Sequence, residues 1–243
     1  MSKQTDLINI PDAITAAGSN VGIGTAVPRS ELDIDGGFDT HIRMQTNSTG
    51  ASSLDGLLLG LDGSTNALAY FWNYENAPVI VGTNNTERMR IDATGAVTMP
   101  HQPAFSVHKD GTNQDNIAVN ADVVVTFNDE RFDANADFNL GTNSFTAPVT
   151  GKYQLSLALR LENIDSAAAY YIPTIVTSNQ RYRFVFDPDF GQDQTYWGIT
   201  ISVLADMDAS DTAHITIEQG NGNQQTDIQG NAQYTFFTGY LAC

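Results

Sequence analysis

Two short loops in the second half of the chain are rich in aspartate. Each loop carries three carboxylates, at Asp187, Asp189 and Asp193 in the first and at Asp206, Asp208 and Asp211 in the second. Grouped carboxylate oxygens are the ligands that calcium prefers, although neither loop has the glutamate-terminated spacing of an EF-hand. Aspartate also caps ordinary turns through its own side chain. The sequence therefore predicts that these loops bind Ca²⁺, which is the only cofactor that it indicates. The alternative is that the aspartates only form ordinary turns.

A second group of side chains combines aromatic rings with positive charge. It consists of Tyr170 and Tyr171 on one predicted strand and of Arg181, Tyr182 and Arg183 on the next. Rings with a polar edge and nearby cations form platforms for sugars and other surface ligands, so we predict a receptor-binding site here. Packing into the core is the alternative, because aromatic residues in alternating strands are often buried.

No set of residues is typical of a catalytic centre. None of the histidines, at positions 41, 101, 108 and 214, has another histidine or a cysteine at metal-ligand spacing. No serine lies in the G-x-S-x-G of a nucleophile elbow. Gly22 and Gly24 lack the third glycine and the helix of a dinucleotide site. We therefore predict that the protein is not an enzyme, with a hydrolytic pair of turn carboxylates as the alternative.

The elements that position these residues are predicted to be β-strands throughout. Residues 151–161 and 197–204 alternate apolar and polar side chains, and most such runs are followed by Asn, Asp or Gly. No segment shows a helical period or a heptad repeat. Many short antiparallel strands at this spacing favour an all-β sandwich or jelly roll.

The chain divides into three predicted parts. Residues 1–20 form a polar lead with an apolar stretch at Leu7 to Ile10, residues 21–100 a shaft of short strands, and residues 101–243 a denser β head. Two prolines in the segment 100–103 predict an extended hinge before the head. Alternation of Leu57, Leu59 and Leu61 with Leu58 and Gly60 predicts one apolar face that a neighbouring chain covers.

Charge and sorting signals limit the partners. The net charge of -17 repels phosphate backbones, so nucleic acid is not an expected partner. Asp6, Asn9 and Pro11 interrupt any apolar signal region, and no stretch is long enough to insert into a membrane. We expect synthesis in a cytoplasm without a signal peptide. The one cysteine, Cys243, permits no disulfide within the chain.

The region from Pro103 onwards resembles the globular heads of complement component 1q and the wider family of tumour-necrosis-factor-like jelly rolls. Residues 145–153 read FTAPVTGKY, close to that family's F-x-A-P-x-x-G-x-Y, and Gly151 is expected to permit the tight turn there. Residues 103–106 resemble the family's first strand, residues 123–132 its second long strand and the turn after it, and residues 237–241 its closing strand. The resemblance implies a jelly-roll trimer with Phe237, Gly239 and Tyr240 near the threefold axis.

The first hundred residues resemble bacteriophage tail fibres. Residues 21–34 contain VGIGT, a proline and LDI, and residues 86–95 read TERMRIDATG, which are two units of such fibres. In such fibres a unit like residues 86–95 is followed directly by a unit like residues 21–34, whereas here the two units lie at opposite ends of the shaft. This departure implies a short shaft, and the resemblance implies an intertwined homotrimer.

The two resemblances together imply a fibre or spike of a phage particle. The lead would join other virion proteins, and the head would bind a glycan or protein on the host surface. Two alternatives remain. In one, the protein is a structural virion component, a capsid decoration or tail joint, whose head contacts another virion protein. In the other it is a bacterial surface adhesin, against which the missing signal peptide counts.

Overall fold

The computed structural model describes residues 14–63 and 68–243. The chain forms two compact units, Met1–Thr98 and Met99–Cys243. Within the described residues every regular element is a β-strand, and the sheets are antiparallel apart from one parallel pair, which confirms the all-β prediction. The described part contains no helix with the length and hydropathy needed to span a membrane. The Leu7 to Ile10 stretch and most of the predicted lead lie outside the described residues.

The first unit consists of three separate three-stranded sheets, β1-β2-β3, β4-β5-β6 and β7-β8-β9, in which only β2 and β3 are parallel. Its strands are β1 Ile14–Ala17, β2 Asn20–Ile23, β3 Leu32–Ile34, β4 Thr40–Met44, β5 Leu57–Leu61, β6 Ala69–Asn73, β7 Val79–Thr83, β8 Thr86–Ile91 and β9 Val97–Thr98. Each sheet follows the order of the chain, so turns and short loops connect neighbouring strands.

The β4-β5-β6 sheet is amphipathic in a way that the leucine alternation predicts. Leu59 pairs with Ile42 on one side and with Phe71 on the other, so these side chains share one face. All three are exposed, Phe71 by 59%. Leu58, on the opposite face, is the only large apolar side chain that is buried in the described part of this unit. Three strands bury too little surface to enclose both of their faces.

The second unit is a sandwich of two antiparallel sheets. Its strands are β10 Ala104–His108, β11 Val123–Val124, β12 Asp129–Asp133, β13 Phe138–Asn139, β14 Ser144–Thr146, β15 Gly151–Ile164, β16 Tyr170–Thr177, β17 Arg181–Arg183, β18 Gln194–Met207, β19 Thr212–Gly220, β20 Asp227–Ile228 and β21 Phe236–Leu241. One sheet runs β12-β10-β21-β15-β18, with β20 beside β15. The other runs β13-β14-β19-β16-β17, with β11 beside β19.

The core of the head lies between these two sheets. Along β15 the side chains from Tyr153 to Leu161 at every second position are 1% exposed or less, so the predicted alternation is correct. The rings of Phe145 and Tyr153 meet in this core with centroids 5.4 Å apart. Apolar burial on this scale supplies the main driving force for folding, so the head carries its own core.

The segment 123–132 does not form the long strand and turn expected from the sequence, but contains one short strand and most of another. Val123–Val124 pairs with β19 in one sheet, whereas Asp129–Asp133 pairs with β10 in the other. Between them Val125 and Phe127 are both buried in the core. The chain therefore crosses from one sheet to the other here, and the apolar run VVVTF reflects this crossing.

Gly151 is required for a reason other than the turn. A Cβ atom at this position would lie 2.6 Å from Leu241 Cδ1 and 2.7 Å from the carbonyl oxygen of Cys243. The backbone nitrogen of Lys152 donates to that same carbonyl at 2.7 Å. The end of the chain thus lies directly against the start of β15, and the space taken by this contact excludes any side chain.

The segment 100–103 is bound to the head. The Gln102 side chain donates to the carbonyl of Leu241, and Asn135 donates to the carbonyl of His101. Pro103 is buried, and its carbonyl accepts from the Leu241 nitrogen at 3.0 Å. The compact units divide between Thr98 and Met99, two residues before the predicted boundary, and residues 101–103 are held by these contacts with the head.

Candidate functional site

Two of the predicted receptor-binding residues belong to the core. Tyr171 is completely buried, and its hydroxyl lies 2.6 Å from the Thr226 hydroxyl and accepts from the backbone nitrogen of Asp165 at 3.0 Å. Burial raises the pKa of this phenol. Tyr182 is partly buried against the same core. The packing alternative is therefore correct for both, and neither ring is a free platform.

The other three predicted residues lie at the surface of the β16 and β17 edge. Tyr170 covers Gly220 with its ring and donates to Glu218 at 3.0 Å. Arg181 binds Asp122 at 2.6 Å. Arg183 is exposed, and Phe184 and Val185, the next two residues, are 46% and 58% exposed. The structure thus leaves one cation beside an exposed apolar pair, which the sequence analysis did not single out.

The two aspartate loops do not gather their carboxylates. Among residues 14–63 and 68–243, neither set brings three such oxygens within 4.8 Å of one another. Asp193 accepts from the backbone and hydroxyl of Ser166, which lowers its pKa. Asp211 accepts from the Asp208 nitrogen, and Asp206 binds Lys152. Asp187 accepts from the Asp189 nitrogen at 3.2 Å. The turn alternative explains Asp187 and Asp211, whereas Asp193 and Asp206 bind residues distant in sequence, and the predicted calcium ligands are not brought together.

The predicted axis residues alternate between the two faces of β21. Phe237 is fully buried within its own subunit, and a Cβ at Gly239 would meet Phe105 and Leu155 inside the core. A role for the Phe237 side chain between subunits is therefore wrong. Tyr240 points outward and is 52% exposed. Tyr240 is the register partner of Gln154 on β15, and Gln154 is in turn the partner of Leu204 on β18. Leu204 is 57% exposed.

A cavity of about 390 Å³ lies on the polar face of the β4-β5-β6 sheet. We name it the shaft pocket, and its lining residues are Asp39, His41, Arg43, Leu58, Asp62, Tyr70, Trp72 and Tyr74. Tyr70 donates to Asp62 at 3.0 Å, which raises the pKa of the phenol. The Arg43 guanidinium lies 5.5 Å from the centre of the Tyr74 ring, and the Trp72 side chain is 54% exposed.

The shaft pocket is not visible in the sequence, because its lining residues come from three strands and the loops beside them. Arg43, Leu58 and Trp72 are register partners on one face. A three-stranded meander with known register would have revealed them, since every second residue shares a face. Aromatic rings beside acidic and guanidinium groups can stack on a sugar ring and hydrogen-bond its hydroxyls.

The two fibre-like motifs build turns. In the second motif Asp92 Oδ1 accepts from the backbone nitrogens of Thr94 and Ala96 and from the Thr94 hydroxyl, which lowers the pKa of Asp92. In the first, Gly24 has a φ of +77°, and a Cβ there would lie 2.0 Å from the Asp35 carbonyl oxygen. These residues therefore fix local backbone geometry.

Comparison with known proteins gives a family for the head alone. The family described as the C1q domain matches residues 104–242. No curated protein sequence matches the chain. The globular domain of zebrafish complement 1qA protein is similar with a TM-score of 0.44 and 22% identity, over 58% of this chain and 98% of that chain. Two crystal structures of murine APRIL, at pH 8.0 and pH 8.5, give 0.42 and 0.41 with 10% identity and the same coverage.

Proposed function

The chain belongs to the C1q domain family, and on this basis we propose that it is a homotrimeric, non-enzymatic fibre or spike protein of a bacteriophage particle that binds the host surface through its head. Domains of this type are binding modules and commonly form trimers. The fibre-like motifs of the first unit support the phage setting. The lead before the first described strand would attach the protein to other virion proteins.

One observation supports the proposed trimer most directly: the apolar face of the β4-β5-β6 sheet is exposed in a single chain. Ile42, Leu59 and Phe71 are 42%, 45% and 59% exposed on that face. An exposed apolar patch of adjacent large side chains marks an association surface. Copies of the same sheet, related by a threefold axis, would cover one another with these faces.

Two neighbouring residues on β6 give a matched test of this assembly. Phe71 lies on the apolar face and Trp72 on the opposite face, with similar exposure. Light scattering of the full chain should give about three times the 26.3 kDa chain mass. Phe71→Glu should shift the mass towards one chain, whereas Trp72→Glu should leave it unchanged. A monomeric wild-type protein, or equal behaviour of the two variants, would contradict the proposal.

The proposed host contact lies on the head, at the segment formed by Arg183, Phe184 and Val185. A guanidinium beside exposed apolar groups combines charge, planar hydrogen bonding and desolvation, which are the features of binding hot spots. The full chain should bind an array of bacterial surface glycans or whole host cells. The double variant Arg183→Ala/Phe184→Ala should reduce that binding at least tenfold, whereas Lys152→Ala, which removes another surface cation, should not. Unchanged binding by the double variant would refute this location.

The shaft pocket is a second location for a glycan, favoured by its aromatic and charged lining. Trp72→Ala removes the exposed ring of this pocket and leaves the opposite, apolar face intact. If binding is lost in Trp72→Ala and kept in Arg183→Ala/Phe184→Ala, the shaft carries the contact. The reverse result assigns it to the head.

A further inference from the structure

Three potential metal ligands meet where β10 runs beside the edge strand β12. His108 and Asp129 are direct partners across the ladder, and Asp110 follows His108 by two residues. His108 Nε2 lies 3.5 Å from Asp129 Oδ2, and the ligand atoms of the three residues are all within 4.8 Å of one another. The register of β10 and β12 shifts between Ser106 and Val107, immediately before this cluster.

The imidazole of His108 has unused bonding capacity. Its side chain is only 8% exposed, and its Nδ1 is buried with no hydrogen-bond partner among the described residues. A neutral imidazole has one lone pair, on whichever nitrogen lacks the proton. Nε2 faces a carboxylate and Nδ1 faces no donor, so neither nitrogen can offer its lone pair to a hydrogen. A cation coordinated by Nε2 would use the lone pair on the nitrogen that lies beside Asp129, and the proton of the neutral ring would then lie on Nδ1.

Both carboxylates are available to the same ion. Asp129 Oδ1 accepts from the Glu130 nitrogen at 2.8 Å, which leaves Oδ2 directed at His108. The Asp110 carboxylate makes no hydrogen bond or ion pair with any described residue. Its backbone is fixed, because its nitrogen donates to Asn128 Oδ1 at 2.7 Å and its carbonyl accepts from Asn128 Nδ2 at 2.8 Å. Both aspartates are exposed, so water can complete the coordination.

The cationic side chain adjacent in sequence does not neutralise the cluster. Lys109 lies between two of the ligands in sequence, but its ammonium donates to Thr126 Oγ1 at 2.9 Å and the residue is 5% exposed. Two carboxylates therefore lie together without a bound positive charge in the described structure. A divalent cation would offset their mutual repulsion.

We propose that His108, Asp110 and Asp129 bind Zn²⁺ and that the ion joins the edge strand β12 to β10. One imidazole with two carboxylates is a donor set that suits zinc, whereas calcium prefers oxygen ligands alone. Tetrahedral ligands at zinc distances lie about 3.4 Å from one another, close to the 3.5 Å between Nε2 and Oδ2. Water would take the fourth position.

Titration calorimetry of the metal-free full chain with Zn²⁺ tests this site. The wild-type protein should bind one ion per chain, and His108→Gln and Asp110→Asn should each weaken the affinity at least tenfold. Two control variants should keep the wild-type affinity. His214→Gln removes a partly buried imidazole elsewhere in the head, and Asp208→Asn removes a carboxylate that lies in a turn. Ca²⁺ at the same concentration should not compete.

Thermal unfolding gives a second measurement that does not depend on the buried histidine. Asp110 is exposed, so Asp110→Asn should fold as the wild type does. Zn²⁺ should raise the Tm of the wild type and not that of Asp110→Asn, because a ligand stabilises only the state that binds it. Three results would each overturn the proposal: no binding by the wild type, wild-type affinity in His108→Gln or Asp110→Asn, or a Tm shift in Asp110→Asn equal to that of the wild type.

Discussion

The hydroxyls of Tyr171 and Thr226 lie 2.6 Å apart in the core of the head, although 55 residues separate them in sequence. The same Tyr171 hydroxyl accepts from the backbone nitrogen of Asp165 at 3.0 Å. Asp165 in turn accepts from the nitrogens of Ala167 and Gln224, at 2.9 Å and 2.8 Å. One phenol on β16 thus connects two loops, the one between β15 and β16 and the one between β19 and β20.

Removal of this phenol should cost stability without affecting ligand binding. Tyr171→Phe leaves the Asp165 nitrogen without a buried acceptor, and we expect the free energy of unfolding to fall by about 1–3 kcal/mol. Tyr170→Phe removes the hydroxyl of the adjacent, partly buried residue, which donates to Glu218, and should lower the free energy of unfolding by only about 0.5 kcal/mol. Urea unfolding at one fixed chain concentration measures both. Equal losses would mean that the buried network contributes nothing special.

Glycine at position 151 should tolerate no side chain. Gly151→Ala places a Cβ against the Cys243 carbonyl, and the required shift of the chain end should cost about 1–3 kcal/mol. Gly198→Ala is the control, since nothing lies within 4 Å of the added Cβ on β18. Thermal or urea unfolding should show almost no change in the stability of Gly198→Ala. A stable Gly151→Ala protein would refute the importance of this contact.

Arg160 lies between two tyrosine rings on the outer face of the head. Its guanidinium carbon is 4.0 Å from the ring centre of Tyr196 and 4.3 Å from that of Tyr234. Arg160→Met keeps much of the side-chain volume and removes the charge, so unfolding should become easier by about 1–2 kcal/mol. Arg160→Lys keeps the charge without the planar stacking and should show a smaller loss. If Arg160→Met is as stable as the wild type, the double stack is without energetic consequence.

His214 should make the head less stable in mild acid. Burial lowers its pKa below the ordinary 6.5, the nearby Arg181 lowers it further, and Asp122 partly opposes them. The unfolded chain therefore takes up this proton first, so the contribution is complete above the unfolded pKa and is lost as the pH falls towards the folded pKa. Urea midpoints at about pH 8 and about pH 5 should differ more for the wild type than for His214→Gln. Identical pH dependence in the two proteins would contradict the assignment.

The head was predictable where one strand carries the whole signal. The alternation from Tyr153 to Leu161 identifies the buried face of β15 without knowledge of any partner. Tyr170 and Tyr171 show the limit of this argument. Alternation requires that one of two neighbours faces inward, but only the pairing with β19 decides that it is Tyr171.

The sites were less predictable because they depend on register between strands. His108 meets Asp129 only through the β10–β12 pairing, and Arg43 meets Trp72 only across β5. The two aspartate loops gave a wrong prediction of a metal site because closeness in sequence does not bring carboxylates together in space. Their spacing along the chain is close, yet their carboxylates have separate partners: Asp211 accepts from the nitrogen of Asp208 in its own turn, whereas Asp206 binds Lys152 and Asp193 accepts from Ser166.

The uneven burial of the two units has a consequence for the order in which the chain acquires its structure. A ribosome synthesises the first unit before the head, but that unit buries Leu58 alone among the large apolar side chains of its described residues. The head encloses a full core within a single chain. We therefore expect the head to fold first, although it is made later, and the first unit to complete its structure only when other copies arrive. Assembly would then proceed from the carboxyl end of the chain towards its amino end.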